Sequence, residues 1–466
     1  MNNEIAFATL GSVDAGKSTL IGTIMSNKLD DGNGLNRKLI SRFTHEITTG
    51  KTSSISTHSI KNFNKTDKSL ILVDLCGHRK YLKTTLYGIM GYCPDYAILI
   101  VGGNRGILEM TTEHIKILHH LKIPMIIVIT KTDLIDKLHI ETNNKKDGIA
   151  KITNDVKKIF SKGNFNVLDM NDIIENDKST TGIIPTTTTI PIFKLSCKTG
   201  YGLEYFKDYI SKLPRRINTI INKEIIPFPD PDNKDNKFNN TCIFNIETIY
   251  CPQGIGWVAT GILKGINENN FLTPNTTLYL GPNKINNEFL QVKVWSIYNY
   301  FNEKIDKLYC GQRGCLAVRA DKKITRDFFR KGSIFTNNLD IVKKASFKYK
   351  AKIKLLTHPT NVKNNFSPVI HSGTIRQCAK ITILNKENIK NKLINNDKII
   401  NKLNEKINEN EKINENENKE NEEKCIYPGE VATIEIEFLY RPEIIEPDQV
   451  FFMREGLTLG IGKFIL

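Results

Sequence analysis

Four short runs in the sequence hold the residue types that bind a phosphorylated nucleotide. Gly11-Ser12-Val13-Asp14-Ala15-Gly16-Lys17-Ser18, continued by Thr19, fits a phosphate-binding loop. Glycine frees the backbone so that successive N–H groups cradle phosphate, Lys17 reaches the outer phosphates, and the Ser18 hydroxyl binds magnesium. Asp74-Leu75-Cys76-Gly77 follows an apolar run. An aspartate there holds magnesium through water, while the Gly77 amide senses a γ-phosphate. Thr130-Lys131-Thr132-Asp133 closes another apolar run, and Ser196-Cys197-Lys198 closes the next. The Asp133 carboxylate can accept from the N1 and N2 donors of guanine, which adenine lacks, and Ser196, Cys197 and Lys198 complete a base pocket. An Asp-x-x-Gly alone carries almost no information. Four runs in this order, each at the end of a strand where ligands of open α/β sheets collect, predict GTP with magnesium.

The elements that must position these runs are legible as alternation. Apolar strands are expected at Glu4–Leu10, Leu70–Leu75, Tyr96–Val101, Met125–Thr130 and Ile190–Leu195, with helix-period segments between them. Ile149, Ile152, Val156, Ile159 and Phe160 share one helical face, and so do Leu203, Phe206, Ile210 and Leu213 ahead of Pro214. This half, residues 1–222, reads as a doubly wound α/β domain. The Pro- and Asp-rich stretch 223–240 reads as a linker. Beyond it, β-branched runs at Cys242–Tyr250, Gly256–Leu263, Leu290–Ile297, Gly314–Arg319 and Ser333–Thr336 predict a small barrel over 241–342. Further runs at Lys348–Leu356, Gly373–Leu384, Gly429–Phe438 and Gln449–Arg454 predict a second barrel over 346–466. Residues 385–424, rich in Asn, Lys and Glu, lack the apolar content for a core and read as a low-complexity insertion in that barrel. Period-2 burial assigns Trp257 to the first barrel's core.

Composition narrows the class. The chain has 466 residues, 39% hydrophobic and 25% charged. Its longest unbroken apolar runs, Ala97–Val101 and Met125–Ile129, are far short of the ~18 residues of a membrane span. Residues 1–10 read as a strand entering a motif and lack the order of a secretion signal. The nine cysteines are scattered singly, without metal-ligand spacing, which suits reduced thiols in the cytoplasm. The net charge is +16; the stretch 385–424 holds 9 lysines and 10 acids, leaving +17 on the remainder. Such a surface favours a polyanionic partner, nucleic acid or ribosome.

Asp74-Leu-Cys-Gly-His78-Arg-Lys-Tyr81 resembles the Asp-x-x-Gly-His segment of translational GTPases, which include elongation factor Tu. Gly50-Lys-Thr52 after Glu46 resembles their first switch. The strings His45–Ser54 and Gly77–Thr85 look closest to the branch called GTP-binding protein 1 and 2, as do His371–Gln377 and Phe452–Gly456 in the last barrel. The resemblance covers essentially the whole chain and implies an α/β P-loop GTPase domain followed by two all-β barrel domains. It implies that Thr52 coordinates magnesium and closes over the γ-phosphate, with Ser18 and Asp74 as the other metal residues. His78 becomes the catalytic residue that orients water or stabilises the transition state, a role its position beside Gly77 suits. Asp14 resembles a residue linked to a monovalent cation, although a loop Asp also forms Asx turns.

Three departures stand out. Thr130 replaces the Asn with which most GTPases brace loop and base. The hydrophobic gate around the histidine keeps Val13 but has Lys51 at its other position. The chain also starts almost at its first strand, without the amino-terminal extension of animal members of that branch. The resemblance implies a monomeric cytoplasmic translation factor of the elongation type, with aminoacyl-tRNA and the ribosome as partners and no membrane. Two other classes stay open: a GTP-controlled RNA-binding adaptor working with RNA-decay machinery, and a metabolic GTPase subunit of the sulfate-activation type.

Overall fold

Glu4–Gly11 is buried at all eight positions and forms β1, an interior strand of the first unit's sheet. The computed structural model describes residues 4–41, 44–49, 52–135, 148–161, 165–169, 183–216, 241–265, 270–283, 288–321, 324, 328, 330, 332–386, 425–446 and 449–465. The expected linker 223–240 and all but the first two residues of the insertion 385–424 lie outside them. The strands β1, β2 (Ser56–Ile60), β3 (Ser69–Asp74), β4 (Tyr96–Gly102), β5 (Met125–Thr130), β6 (Asn166–Asp169) and β7 (Thr189–Lys194) form one sheet in the order β2-β3-β1-β4-β5-β7-β6. All pair in parallel except β2 with β3. A parallel sheet buried on both faces needs strands that are apolar throughout, which is why β1, β4 and β5 read as unbroken runs.

The expected strands coincide with β1, β3, β4, β5 and β7. The two further strands, β2 and β6, are the sheet's edges, half-buried and polar (Ser-Thr-His-Ser-Ile; Asn-Val-Leu-Asp), so neither alternation nor an apolar run marks them. The helices are α1 (Lys17–Ser26), α2 (Leu35–Ile40), α3 (Thr44–Thr49), α4 (Leu82–Gly91), α5 (Glu109–His120), Gly148–Phe160 and Leu203–Lys212. Val156 and Phe160 of one expected face are buried, as are Leu203, Phe206, Ile210 and Leu213 of the other. Because β1, β3, β5 and β7 run in parallel, the four nucleotide-type runs emerge at the same sheet edge.

The second unit is all-β. Its strands are β8 (Cys242–Tyr250), β9 (Trp257–Gly265), β10 (Phe271–Leu272), β11 (Thr277–Gly281), β12 (Leu290–Asn299), β13 (Lys304–Ile305), β14 (Leu308–Tyr309), β15 (Arg313–Arg319) and β16 (Ile334–Thr336), then β17 (Lys348–Thr357), β18 (Val362–Lys363), β19 (Val369–Ser372), β20 (Ile375–Lys386), β21 (Cys425–Ile426), β22 (Val431–Phe438), β23 (Val450–Glu455) and β24 (Thr458–Ile465). The first barrel closes as β11-β16-β8-β9-β15-β12, with β11 back on β12. The second closes as β17-β22-β20-β19-β23-β24. Along β17, Tyr349, Ala351, Ile353 and Leu355 point inward between outward lysines, the alternation that betrays such strands in sequence. β24 carries Gly460 and Gly462 and has no such signature. A Cβ at Gly462 would lie 2.4 Å from the Phe451 ring, so glycine makes room for an aromatic core. Trp257 is half-buried at the rim of the first barrel's core, its indole N–H donating to the Ile324 carbonyl at 3.2 Å.

Between the barrels, the buried Glu443 carboxylate meets Arg330 at 3.4 Å and the Gln377 amide at 2.5 Å, while Tyr349 donates to its carbonyl at 2.7 Å. Burial pushes its carboxyl up to about 7 against the pull of Arg330 and Arg441. Among the described residues no helix is long and apolar enough to cross a membrane.

His114 on α5 is fully buried, and neither ring nitrogen has a hydrogen-bond partner among the described residues. Burial, reinforced by the charge of Lys17, lowers its pKa to about 3. The fold therefore holds the neutral ring, and the stability this confers is complete above the unfolded value near 6.5 and lost as pH falls from there towards 3. The expected slope from this residue is about 1.4 kcal/mol per pH unit. Urea titrations between pH 6.5 and 5 should show His114→Gln, uncharged throughout, losing less stability than the parent by about that amount per unit. Parallel curves for the two proteins would mean that the ring ionises freely in the fold.

Candidate functional site

The loop between β1 and α1 turns by two residues in the left-handed region, Asp14 (φ 62) and Gly16 (φ 95). This turn folds the chain over the Lys17 side chain, which is 6% exposed and donates to the carbonyls of Gly11 at 3.1 Å and Ser12 at 2.9 Å. Asp74, at the end of β3, lies beneath the loop. Burial draws the Lys17 ammonium down and the Asp74 carboxyl up, and each charge partly restores the other. Gly77 packs so closely that a Cβ there would fall 2.4 Å from Lys17 Nζ and 2.6 Å from the Gly11 carbonyl oxygen. Only glycine lets this amide approach the loop.

The three expected metal residues converge. Ser18 Oγ donates to Asp74 Oδ2 at 2.6 Å and lies 3.1 Å from Thr52 Oγ1. Two hydroxyls and a carboxylate are hard oxygen donors, the set magnesium takes alongside phosphate oxygens and water. Glu46 on α3 accepts from the backbone N–H and hydroxyl of Ser53 at 2.8 and 2.9 Å, anchoring the segment that carries Thr52. A cavity of about 180 Å³ opens over this cluster, lined by Val13, Asp14, Gly16, Thr19 and His78 among others. His78 is exposed; its Nδ1 accepts the Lys80 N–H at 3.1 Å, and its ring lies edge-on to Tyr81. Lys51 lies outside the described residues.

At the base end, Ser196 Oγ donates to Asp133 Oδ1 at 2.6 Å and accepts the N–H of Lys198 and Thr199, both at 3.2 Å. Ser196 thus aims the carboxylate from behind. Lys131 crosses the loop to donate to the Asp14 carbonyl at 2.7 Å. A second cavity, about 300 Å³, is walled by Thr130, Asp133, Cys197 and Lys198 on one side and by Asp30–Gly34 and Arg37 on the other. Burial raises the Cys197 thiol to about 11, so it is a neutral wall. Gly11, Ser12, Ala15, Asp74 and Ser196 do not line either cavity and act through the side chains they hold. Sequence reasoning missed Asp30 and Arg37, and marked Glu46 only as preceding the first-switch run, without its hold on Ser53. The turn-rich run Asp30-Asp31-Gly32-Asn33-Gly34 was a usable signal for the first; Arg37 sits in a polar segment with none.

Residues 2–223 match the family described as elongation factor Tu GTP binding domain. The match covers just under half of the chain, the part that folds as a P-loop GTPase domain. Over 98% of its length it is 28% identical to GTP-binding protein 1 of Xenopus laevis, and it spans 62% of that relative, less than two thirds. The translation elongation factor SelB from Methanococcus maripaludis, solved in complex with the GTP analogue GppNHp, matches the whole chain and 80% of its own, at TM-score 0.59 and 19% identity. The GTP-bound Ski7 GTPase-like domain of S. cerevisiae matches 99% and 97%, at TM-score 0.64 and 14% identity. The two structures show a shared fold, the architecture of translational GTPases: a P-loop GTPase domain followed by two six-stranded antiparallel barrels.

Thr130 does brace the loop: its hydroxyl donates to the Ala15 carbonyl at 2.5 Å, with the Val101 carbonyl at 3.4 Å. A hydroxyl suffices because the loop lies directly on the end of β5, with Gly16 facing Thr130. Thr130→Ala should cost about 1–2 kcal/mol by removing a buried hydrogen bond, while Thr130→Ser should keep most of it. Denaturant midpoints of the two variants compare them directly; equal midpoints would show that the hydroxyl braces nothing.

Proposed function

We propose that this chain is a translation-factor-type GTPase that binds GTP with magnesium and hydrolyses it slowly until a partner stimulates it. The observation that carries the reading is the meeting of Ser18, Thr52 and Asp74 at one point beside Lys17. A switch segment and the phosphate loop share a site there, as a device that distinguishes GTP from GDP requires. Ser18 and Thr52 would hold the metal directly and Asp74 through water, and magnesium bound there would neutralise charge on the outer phosphates. Lys17 and the loop amides bind those phosphates in a preformed cradle. The Gly77 N–H faces the terminal phosphate, and its loss on hydrolysis frees the segment that follows.

His78 acts as a donor. With Nδ1 accepting the Lys80 N–H, the proton of the neutral ring sits on Nε2, so the ring orients water or steadies developing negative charge rather than removing a proton. Aminoacyl-tRNA and the ribosome are the proposed partners, favoured by the +17 charge carried outside residues 385–424, and the cytoplasm is the proposed site of action. Sequencing RNA that co-purifies with the GTP-locked protein tests this: tRNA and rRNA support it. Enrichment of mRNA together with decay enzymes favours the surveillance adaptor, and an obligate enzyme partner without RNA favours the metabolic subunit.

Guanine selectivity rests on Asp133. Asp133→Asn should weaken GTP by ~2–4 kcal/mol, the scale of a lost charge-assisted pair, and shift preference to xanthine nucleotide. Unchanged GTP affinity in a calorimetric titration would remove Asp133 from the site. Since His78 makes none of the ground-state contacts of Lys17, Ser18 or Asp133, His78→Ala should spare GTP affinity and lower ribosome-stimulated turnover by roughly 10²-fold or more. Single-turnover hydrolysis with and without ribosomes measures it, and full stimulated turnover in the variant would show that another group does this work.

A further inference from the structure

The two cavities share four lining residues: Gly16, Thr19, Lys131 and Arg37. Gly16 and Thr19 belong to the phosphate loop and Lys131 to the base-end run. Arg37, on α2, belongs to none of the nucleotide motifs. Its Nε is buried without a hydrogen-bond partner, and no carboxylate pairs with its guanidinium among the described residues. A buried guanidinium N–H with no acceptor is unfavourable unless a ligand supplies one.

The surroundings hold Arg37 in place. The Asp30 carboxylate accepts the N–H groups of Gly32 at 2.9 Å and Gly34 at 3.3 Å on one oxygen, and of Asn36 at 2.9 Å on the other. The Asn36 amide then donates to Thr23 Oγ1 at 3.0 Å and to the Lys28 carbonyl at 2.8 Å, tying α2 to α1. At Gly22 of α1 a Cβ would collide with the Asn36 carbonyl at 2.2 Å, so the two helices meet backbone to backbone. The guanidinium lies over Gly34. None of these contacts involves the Thr52 segment, Gly77 or His78. Arg37 is therefore fixed by the same helix that begins at the phosphate loop, whatever occupies the terminal-phosphate end. Charge points the same way: Arg37 and Arg105 both add to the burial that lowers the Lys131 ammonium, three cations in a region where Asp14 and Asp133 are the opposing carboxylates. Cations gathered beyond their local acids await an anion.

We propose that Arg37 is a nucleotide-binding residue that grips the inner part of the bound nucleotide, the α- and β-phosphates beside the ribose, and so holds GDP and GTP alike. This rests on the nucleotide reading of the two cavities. A nucleotide with its base at Asp133 and its terminal phosphate at Gly77 passes its middle through the seam that Arg37 lines. Planar guanidinium donors suit two phosphate oxygens at once, which a lysine at the same place cannot match. Arg37 lines the first cavity together with Thr52, Gly77 and His78, but among the described residues no hydrogen bond or ion pair joins it to them.

The test uses the full chain with magnesium and fluorescent GDP and GTP, measuring equilibrium binding and dissociation for the parent, Arg37→Ala, Arg37→Lys and Lys17→Ala. Arg37→Ala should weaken both nucleotides by the same factor, about tenfold or more, chiefly through faster dissociation, with Arg37→Lys intermediate. Thermal unfolding of the nucleotide-free variants should coincide with the parent, which separates a lost contact from a lost fold. The intermediate Arg37→Lys value serves the same end if the alanine variant unfolds. Unchanged affinities in both variants overturn the proposal while leaving the nucleotide site intact. A loss confined to GTP also overturns it, because that would place Arg37 at the terminal phosphate. Failure of the parent to bind either nucleotide, or full binding by Lys17→Ala, would instead strike the nucleotide reading on which it rests.

Discussion

A buried ammonium must have its charge answered, and at Lys17 the answer comes from the peptide carbonyls of Gly11 and Ser12 and from Asp74 across the sheet. Much of the GTPase domain's architecture follows from this one constraint. β1 must run to the edge of the sheet and end there, so that its last carbonyl faces inward. The loop must double back through left-handed positions at Asp14 and Gly16, which presents its N–H groups outward while its carbonyls hold the lysine. β3 must lie directly beside β1 to bring Asp74 underneath, and the residue three places on must be glycine. A cation partly desolvated in advance needs little reorganisation when phosphate arrives, which is the basis of electrostatic preorganisation.

The site divides between rigid and switchable parts. Asp133, Ser196, Thr130 and Lys131 sit at the ends of β5 and β7 or just beyond them, and Arg37 is fastened to α1 through Asn36 and Asp30. Thr52 and His78 belong to segments outside the strands: among the described residues, Ser18 and the tie of Ser53 to Glu46 hold Thr52, and the N–H groups of Lys80 and Tyr81 hold His78. In the proposed reading, the firmly fastened groups recognise the guanine nucleotide and those on the switch segments distinguish the number of its phosphates. The substitution of Thr for Asn at position 130 leaves this division intact, because the hydroxyl reaches the same loop.

Legibility in the sequence followed physical cause. β1, β4 and β5 are buried on both faces and announce themselves as apolar runs, and β12, β17 and β22 alternate because one face is inside a barrel. β2 and β6 are edge strands whose pairing partner lies on one side only, and their polar residues carry no periodic signal. β24 was hidden because its glycines yield space to Phe451 and Ile353 and cannot themselves show an apolar face. Within the site, the loop, Asp74, Thr130–Asp133 and Ser196–Lys198 were readable because each backbone conformation or donor pattern demands particular residue types at fixed spacing. Arg37 and the hold of Glu46 on Ser53 were not: what gives them meaning is which other segments they touch, and that is settled only by tertiary packing.

The Glu443 network has a mechanical meaning. Apolar faces of two barrels packed together permit sliding, since dispersion is indifferent to direction. Arg330 of the first barrel and Gln377 and Glu443 of the second make the junction directional, because displacement would strand a buried charge without its partner. The two barrels are thus keyed together at this junction: any sliding of one over the other would first have to break a buried ion pair.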